Sequence, residues 1–482
     1  MNRLFISAAH KSSGKTTVSI GLCAALRARG IAVQPFKKGP DYIDPLWLGQ
    51  AAGRPCYSLD AYLMDPDEIR TEVARRLHDG ALGLIEGNKG LYDGLDLDGS
   101  NSNAALAALL GAPVVLVIDA RGMTRGIAPL ILGYQAFDKN IRIAGVILNR
   151  LGGSRHEAKL RAVIEHYTDV PVLGAIQHDE RLTIVERHLG LVPSNEATAA
   201  NARIEAIAER VAAQVDLDRV LAVAATAGDL QVNEIAHSAS GSPPSPAIVG
   251  EGMRERAGGR GGSEKIHIKL GIARDAAFGF YYPGDLEALR AAGAELVSFD
   301  TLHDANLPAV DGLFIGGGFP ETHMDALSAN SSLRREVYNA IEAGLPVYAE
   351  CGGLMYLARG IEWDGRRAEM VGAIPADIVM HDRPVGRGYV HLRETGRGPW
   401  SRPVGGDATA LMRAHEFHYS SVENLPAGVE FAYEVVRGHG IDGRHDGIVY
   451  KNLLAAYTHL RDVADNRWAA RFVSFIRRHK RS

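Results

Sequence analysis

The sequence predicts an α/β protein of two units: a P-loop domain on a parallel sheet, then a second α/β domain built around a strand–turn–helix corner. Near-continuous apolar runs such as 113–118 and 143–148 alternate with segments of helical period, as expected of parallel strands covered on both faces. Gly14-Lys15-Thr16 joins the first apolar run to the first helical segment. A stretch rich in Ser, Pro and Gly cannot bury a core, and beyond it the strand–helix pattern restarts. At 482 residues the chain exceeds one core. The reading is therefore a domain over 1–237, a flexible linker over 238–264 and a second domain over 265–482.

Composition narrows the function classes. Charged residues make up 23% of the chain and net charge is −4, with the basic residues thinly spread, which excludes a nucleic-acid surface. There is no apolar run of about 18 residues and no signal peptide, so no membrane association is expected and the expected location is the cytoplasm. Cys23, Cys56 and Cys351 are too widely spaced for a disulfide framework or a zinc site.

In chain order, Leu4-Phe5-Ile6-Ser7 reads as a strand and 18–29 as a helix, with Ser13-Gly14-Lys15-Thr16-Thr17 between them. Backbone N–H groups at such a helix start can wrap phosphate oxygens. Lys15 would reach the β/γ-phosphates and the Thr16 hydroxyl would bind Mg²⁺. Ala9 stands where the motif's first glycine belongs, and the bland alternative is a helix N-cap. The second strand, 33–36, runs into a turn-rich loop, Lys37-Lys38-Gly39-Pro40-Asp41-Tyr42-Ile43-Asp44-Pro45. Carboxylates near a triphosphate need a cation between them, so Asp41 and Asp44 are candidates for Mg²⁺ or its waters; ordinary Asp turns are the alternative. A third strand, 81–85, ends in Glu86, where such domains place a second metal-organising carboxylate. Asn149, at another strand end, is a candidate for reading an adenine edge. A strand follows at 171–175, and 203–221 reads as one helix closing the domain.

The second domain opens with strands over 266–273, 295–298 and 312–315 and a helix over 286–292. Gly316-Gly317-Gly318 at a strand end allows backbone N–H groups to approach a ligand closely, as an oxyanion hole requires. One βα unit later, the apolar run 345–349 meets Glu350-Cys351-Gly352-Gly353 and a helical run. This corner would expose Cys351 as a nucleophile, with Gly316, Gly317 and Gly352 as oxyanion candidates and the helix start lowering the thiol pKa. The alternative is a small buried cysteine. A nucleophilic Cys needs a base, and His459 is the candidate. Two residues after it stands Arg461 rather than a carboxylate, so a Cys351–His459 dyad is expected. His415 and His418 read as structural, and His381 and His391 are left undecided.

Several motifs together carry a family resemblance: Lys38-Gly39-Pro40-Asp41-Tyr42-Ile43-Asp44, Glu86-Gly87 with Tyr92-Asp93-Gly94, 144–150, 187–193, Gly316 to Glu321, Ala349-Glu350-Cys351-Gly352-Gly353-Leu354-Met355-Tyr356 and His415-Glu416-Phe417-His418-Tyr419. Through them the chain resembles the cobyrinic acid a,c-diamide synthase family over nearly its whole length. The resemblance implies a dethiobiotin-synthetase-like ATP domain fused to a class I glutamine amidotransferase domain that lacks the usual triad acid. It further implies ATP and Mg²⁺ as cofactors, L-glutamine and a tetrapyrrole carboxylate as substrates, acyl-phosphate intermediates, channelled ammonia and a homodimer. Carried over by position, Cys351 is the nucleophile and His459 its activator. Ser13, Gly14, Lys15, Thr16, Thr17 and Asn149 fall to ATP, and Asp41, Tyr42, Asp44 and Asp93 to substrate and acyl phosphate. Thr16, Asp41 and Glu86 fall to metal. Lys38 and Asn88-Lys89 depart from the pattern and open a second expectation, the branch that amidates sirohaem. A P-loop regulatory ATPase with an inactive second domain is the remote alternative.

Overall fold

The computed structural model describes residues 1–180, 184, 186–187, 190–196, 199–232, 267–400, 411–464 and 466–481. The expected linker, 238–264, and part of the 187–193 motif lie outside them.

The first sheet is parallel throughout, in the order Tyr57–Leu59, Val33–Lys38, Leu82–Glu86, Arg3–Ala8, Val114–Asp119, Ile143–Leu151 and Val172–Gln177. Side chains alternate across it. Phe5, Ile85, Leu116 and Leu148 pack into one core, while Leu4, Ile6, Leu84, Val115 and Val117 pack into another on the opposite face. Both faces need apolar residues, which is why the strands read as unbroken apolar runs. All the strand C-termini point to one edge, where Glu86, Asp119 and Asn149 collect.

The expected helix over 203–221 is two helices, Ala200–Gln214 and Leu217–Ala225. Val215 between them bridges to Gly174, and the Asp216 side chain accepts from the Arg219 N–H to start the second helix. The apolar period continues through this break, so periodicity alone does not reveal it. The loop read over 37–45 is also partly regular. Lys37 and Lys38 end a strand, and Asp44 lies in the helix Ile43–Ala52.

The second sheet has nine strands and two characters. Ala294–Phe299, Ile268–Ala273, Gly312–Ile315, Val347–Glu350 and Leu453–Ala456 are parallel. His445–Tyr450, Glu430–Arg437, Gly386–Glu394 and Met412–His418 extend it in antiparallel fashion. The parallel half carries Cys351 and the Gly316 turn at strand C-termini, and the antiparallel half brings His415 alongside.

The two domains touch through residues 41–76 of the first, and again where Asn195 donates to the Asp275 carbonyl at 2.8 Å. The Tyr57 hydroxyl donates to Glu287 at 2.6 Å, and Tyr389 donates to Asp60 at 3.0 Å. The Glu68 carboxylate accepts the Ala464 N–H at 3.0 Å. No helix among the described residues is long and apolar enough to cross a membrane.

Candidate active site

The P-loop is held open by its backbone. Ser12 and Gly14 lie in the left-handed region at φ 66° and 88°, and Gly14 caps the helix Lys15–Ala28. A Cβ at Gly14 would stand 2.2 Å from Asn149 Nδ2, so only glycine fits. Asn149 donates that amide to the Ser13 carbonyl at 2.9 Å, and Arg150 donates to the Ser12 carbonyl at 2.8 Å. Asn149 therefore braces the loop, a role that its place at a strand end did not signal. Lys11, Ser12, Gly14 to Thr17 and Asn149 line a cavity of about 840 Å³. Ser13 is buried beneath it, its hydroxyl donating to the His10 carbonyl.

At the helix start a buried charge cluster forms. The Thr16 hydroxyl lies 2.9 Å from Glu86 Oε1 and 3.2 Å from Asp44 Oδ2. Lys37 Nζ sits at the centre, 2.5 Å from Asp44, 2.7 Å from Glu86 and 3.7 Å from Asp41. The ammonium is buried, yet its pKa lies well above the ordinary lysine value, because the three carboxylates outweigh desolvation. Burial and the neighbouring Asp44 charge push Asp41 up to about 7. Lys15 is lowered by its burial and then by Lys37. Sequence reading gave Lys37 no role; its one signal is a cation at the end of a buried strand.

The donors fit Mg²⁺. Glu86 Oε2 is buried with no hydrogen-bond partner among the described residues, beside the oxygens of Thr16 and Asp44. Among those residues no three His, Cys, Asp or Glu side chains form a cage. Mg²⁺ commonly takes only one or two carboxylates and completes its shell with phosphate and water. Asp93 stands apart from this cluster, exposed, with its carboxylate accepting the Gly90 N–H at 2.9 Å.

In the second domain Cys351 sits between the strand Val347–Glu350 and the helix Gly352–Leu357, at φ 48°. A non-glycine residue held there is strained, and the Cys351 N–H bond to the Ala456 carbonyl at 2.7 Å helps fix the corner. The helix beyond has six residues, and His459 is hydrogen-bonded to the thiol. Burial disfavours charge on this imidazole, but its hydrogen bonds with Cys351 and Glu350 prevail and raise it to about 10. Its Nδ1 lies 3.4 Å from Glu350 Oε2. His415 stacks on it at 5.0 Å and is pushed well below the usual histidine value by burial and by His459. Cys351, His415, His459, Gly318 and Glu321 line a second cavity of about 190 Å³.

The oxyanion candidates need correction. Gly316 donates its N–H to the Tyr281 hydroxyl at 2.9 Å and is not available to a ligand. Gly317 packs beneath the imidazole, where a Cβ would stand 2.7 Å from His459 Cε1. Gly352 abuts Gly318, and Gly318 is the member of the triple that faces the cavity. Arg461 is buried over the Tyr282 ring, with Nε 3.6 Å from Asp285. His418, read as structural, stacks on Tyr457 at 3.7 Å and also lines the Cys351 cavity. His391 joins Tyr62 across the domain boundary, and His381 bonds Ser421.

Tyr42 belongs to both halves. It follows Asp41 in the first domain, but its ring stacks on Phe280 at 5.2 Å and lies 5.1 Å from His459. Asp41, Ile43, Phe417 and Tyr419 line both cavities, so the two sites share a wall. Chemically, one cavity offers phosphate and Mg²⁺ ligands, and the other offers a thiol–imidazole pair beside a loop of backbone amides.

Comparison with known proteins accounts for both halves. Residues 5–192 match the CobQ/CobB/MinD/ParA nucleotide binding domain, and 269–466 match the CobB/CobQ-like glutamine amidotransferase domain. A cobyrinate a,c-diamide synthase of Magnetococcus marinus is 46% identical, the match covering 98% of this chain and 97% of that protein. One from Methanosarcina acetivorans is 41% identical over 96% of this chain and 93% of its own length. The structure of PurLQS from Thermotoga maritima, 15% identical with a TM-score of 0.35 over 45% of this chain and 100% of that one, is too distant to carry an argument. Near-full-length identity to such relatives, with both domain types matched, places the chain in the cobyrinate a,c-diamide synthase family.

Proposed function

We propose that this ligase uses ATP and glutamine to amidate the a and c acetate carboxylates of cobyrinate. The observation that supports this best is the shared wall: Asp41 lines both the cavity of the P-loop and that of Cys351. In the glutaminase half, the Cys351 thiolate attacks the glutamine carboxamide carbonyl. The C–N bond breaks, ammonia leaves with a proton from His459, and water hydrolyses the thioester to glutamate. Tyr42 covers the far side of His459, so ammonia released there lies one residue from Asp41.

In the synthetase half, Ser13, Gly14, Lys15, Thr16 and Thr17 would bind the phosphates, and Thr16 and Glu86 would hold the metal, with Asp44 in place of the expected Asp41 because Asp44 is the one that reaches the Thr16 hydroxyl. ATP with Mg²⁺, once bound, supplies the phosphoryl group that makes a substrate carboxylate an acyl phosphate. Lys37 pairs with Asp41, Asp44 and Glu86 and holds the three side chains in place. A site walled from water protects the activated carboxylate until ammonia arrives.

The sirohaem expectation rested on added lysines. Of these, Lys38 is buried, so Lys89 is the exposed one. The test offers cobyrinate, hydrogenobyrinate and sirohaem separately with ATP, Mg²⁺ and glutamine, and reads amides by mass spectrometry. Two amides on the corrin are expected. Amide on sirohaem alone replaces the acceptor, and no amide with glutaminase intact overturns the substrate assignment.

A further inference from the structure

The residue just before the nucleophile has partners that its position alone does not explain. Glu350 ends the strand Val347–Glu350, paired in parallel register with Ala456, three residues before His459. Its carboxylate is buried and fully used. The Tyr348 hydroxyl donates to Oε1 at 2.6 Å and the Leu460 N–H donates to the same oxygen at 2.9 Å. The other oxygen faces His459 Nδ1 at 3.4 Å, and both side chains are 4% exposed. A buried carboxylate clamped from one side and presented to an imidazole from the other has the geometry of a triad acid. In the chain, the place two residues after His459 is filled by Arg461, which is engaged with Asp285.

We propose that Glu350 is the positioning residue for His459 in glutamine hydrolysis, completing a Cys351–His459–Glu350 triad whose acid comes from the nucleophile's own strand. By accepting from Nδ1–H, Glu350 fixes the tautomer that leaves Nε2 to take the Cys351 thiol proton. It stabilises the imidazolium so formed, and Nε2 then returns that proton to the departing ammonia. Gly317 allows the fit, since any side chain there would displace the ring. Tyr348 serves as the clamp that keeps Glu350 from turning away.

This rests on the glutaminase reading above, but its two primary readouts, glutamine hydrolysis and thiol alkylation, need no tetrapyrrole. Full-length wild type and E350Q are compared for glutaminase kcat and KM, and for the pH dependence of Cys351 alkylation by iodoacetamide. E350Q should lose about a hundredfold in kcat with KM within twofold. Its alkylation profile should move to higher pH, because the imidazolium that stabilises the thiolate is weakened. E350D should recover part of the loss. A kcat within twofold of wild type, or an unshifted alkylation profile, overturns the proposal. So does a parallel loss of ammonia-driven amidation, which a purely structural role would cause. If E350Q does not fold, E350D replaces it: about tenfold loss in kcat is expected, and a wild-type value overturns the proposal. Failure of every tetrapyrrole acceptor would leave these results standing, and an alkylation shift would still report the triad if glutamine were not hydrolysed.

Discussion

The two halves of this enzyme solve opposite electrostatic problems. The P-loop side gathers three carboxylates around a buried Lys37 ammonium, two of them also bonded to Thr16. The Cys351 side has a neutral His415 stacked on a His459 that favours its charged form. In the first, excess negative charge is held by a resident cation. In the second, one imidazole is charged because a thiol and a carboxylate flank it, while its neighbour, lacking a carboxylate, stays neutral. Burial is common to both, so partners rather than solvent exposure set the charge states.

The largest test of this division removes a reactive group. Cys351→Ala should lower glutamine-driven amidation by at least about a thousandfold and leave ammonia-driven amidation intact. Lys15→Ala should abolish both, and assay with each nitrogen source separates the two.

Next in size, Lys37→Met leaves Asp44 and Glu86 facing each other without a cation. Breaking a buried ion network in this way costs about 3–5 kcal/mol, read as a lowered urea midpoint. Unchanged stability would show that the carboxylates take up protons freely.

Tyr42→Ala touches both sides at once. Removing the ring from its stack on Phe280 costs about 0.5–1.5 kcal/mol beyond the burial it forfeits, and uncovering His459 should release glutamate in excess of amide formed. A ratio that stays at wild type would remove Tyr42 from the coupling.

A further effect is in the alkaline limb of stability. His459 has a folded value of about 10, above the ordinary histidine value. Its contribution is therefore full below about pH 6.5 and declines as pH rises toward 10. Wild type should lose stability across that window relative to His459→Asn, measured by denaturant midpoints at each pH.

Much of the first site was legible because phosphate binding uses contiguous backbone: Ser13 to Thr17 and the flanking strand and helix stand in one stretch. The elbow at Cys351 was legible for the same reason. Lys37 was not, since a lysine next to another lysine in a strand end reads as solvent-facing until residues 44 and 86 are seen beside it. The acid partner was sought two residues after His459, where chain proximity would put it. It lies 109 residues upstream, brought near by the pairing of two parallel strands. Tyr42 was read with the acyl-phosphate residues of its own loop, yet it packs on the other domain.

The sequence by itself determined the alternation of strand and helix, the phosphate loop, the nucleophile's corner and the family. These depend on local periodicity and on short spacings that set backbone geometry. Only the tertiary structure decided which carboxylates share Lys37, which acid holds His459 and which residues wall both cavities. Each of these is a contact between distant strands or between domains. Its energy depends on the distances and burial that folding creates, and residue order alone does not state them.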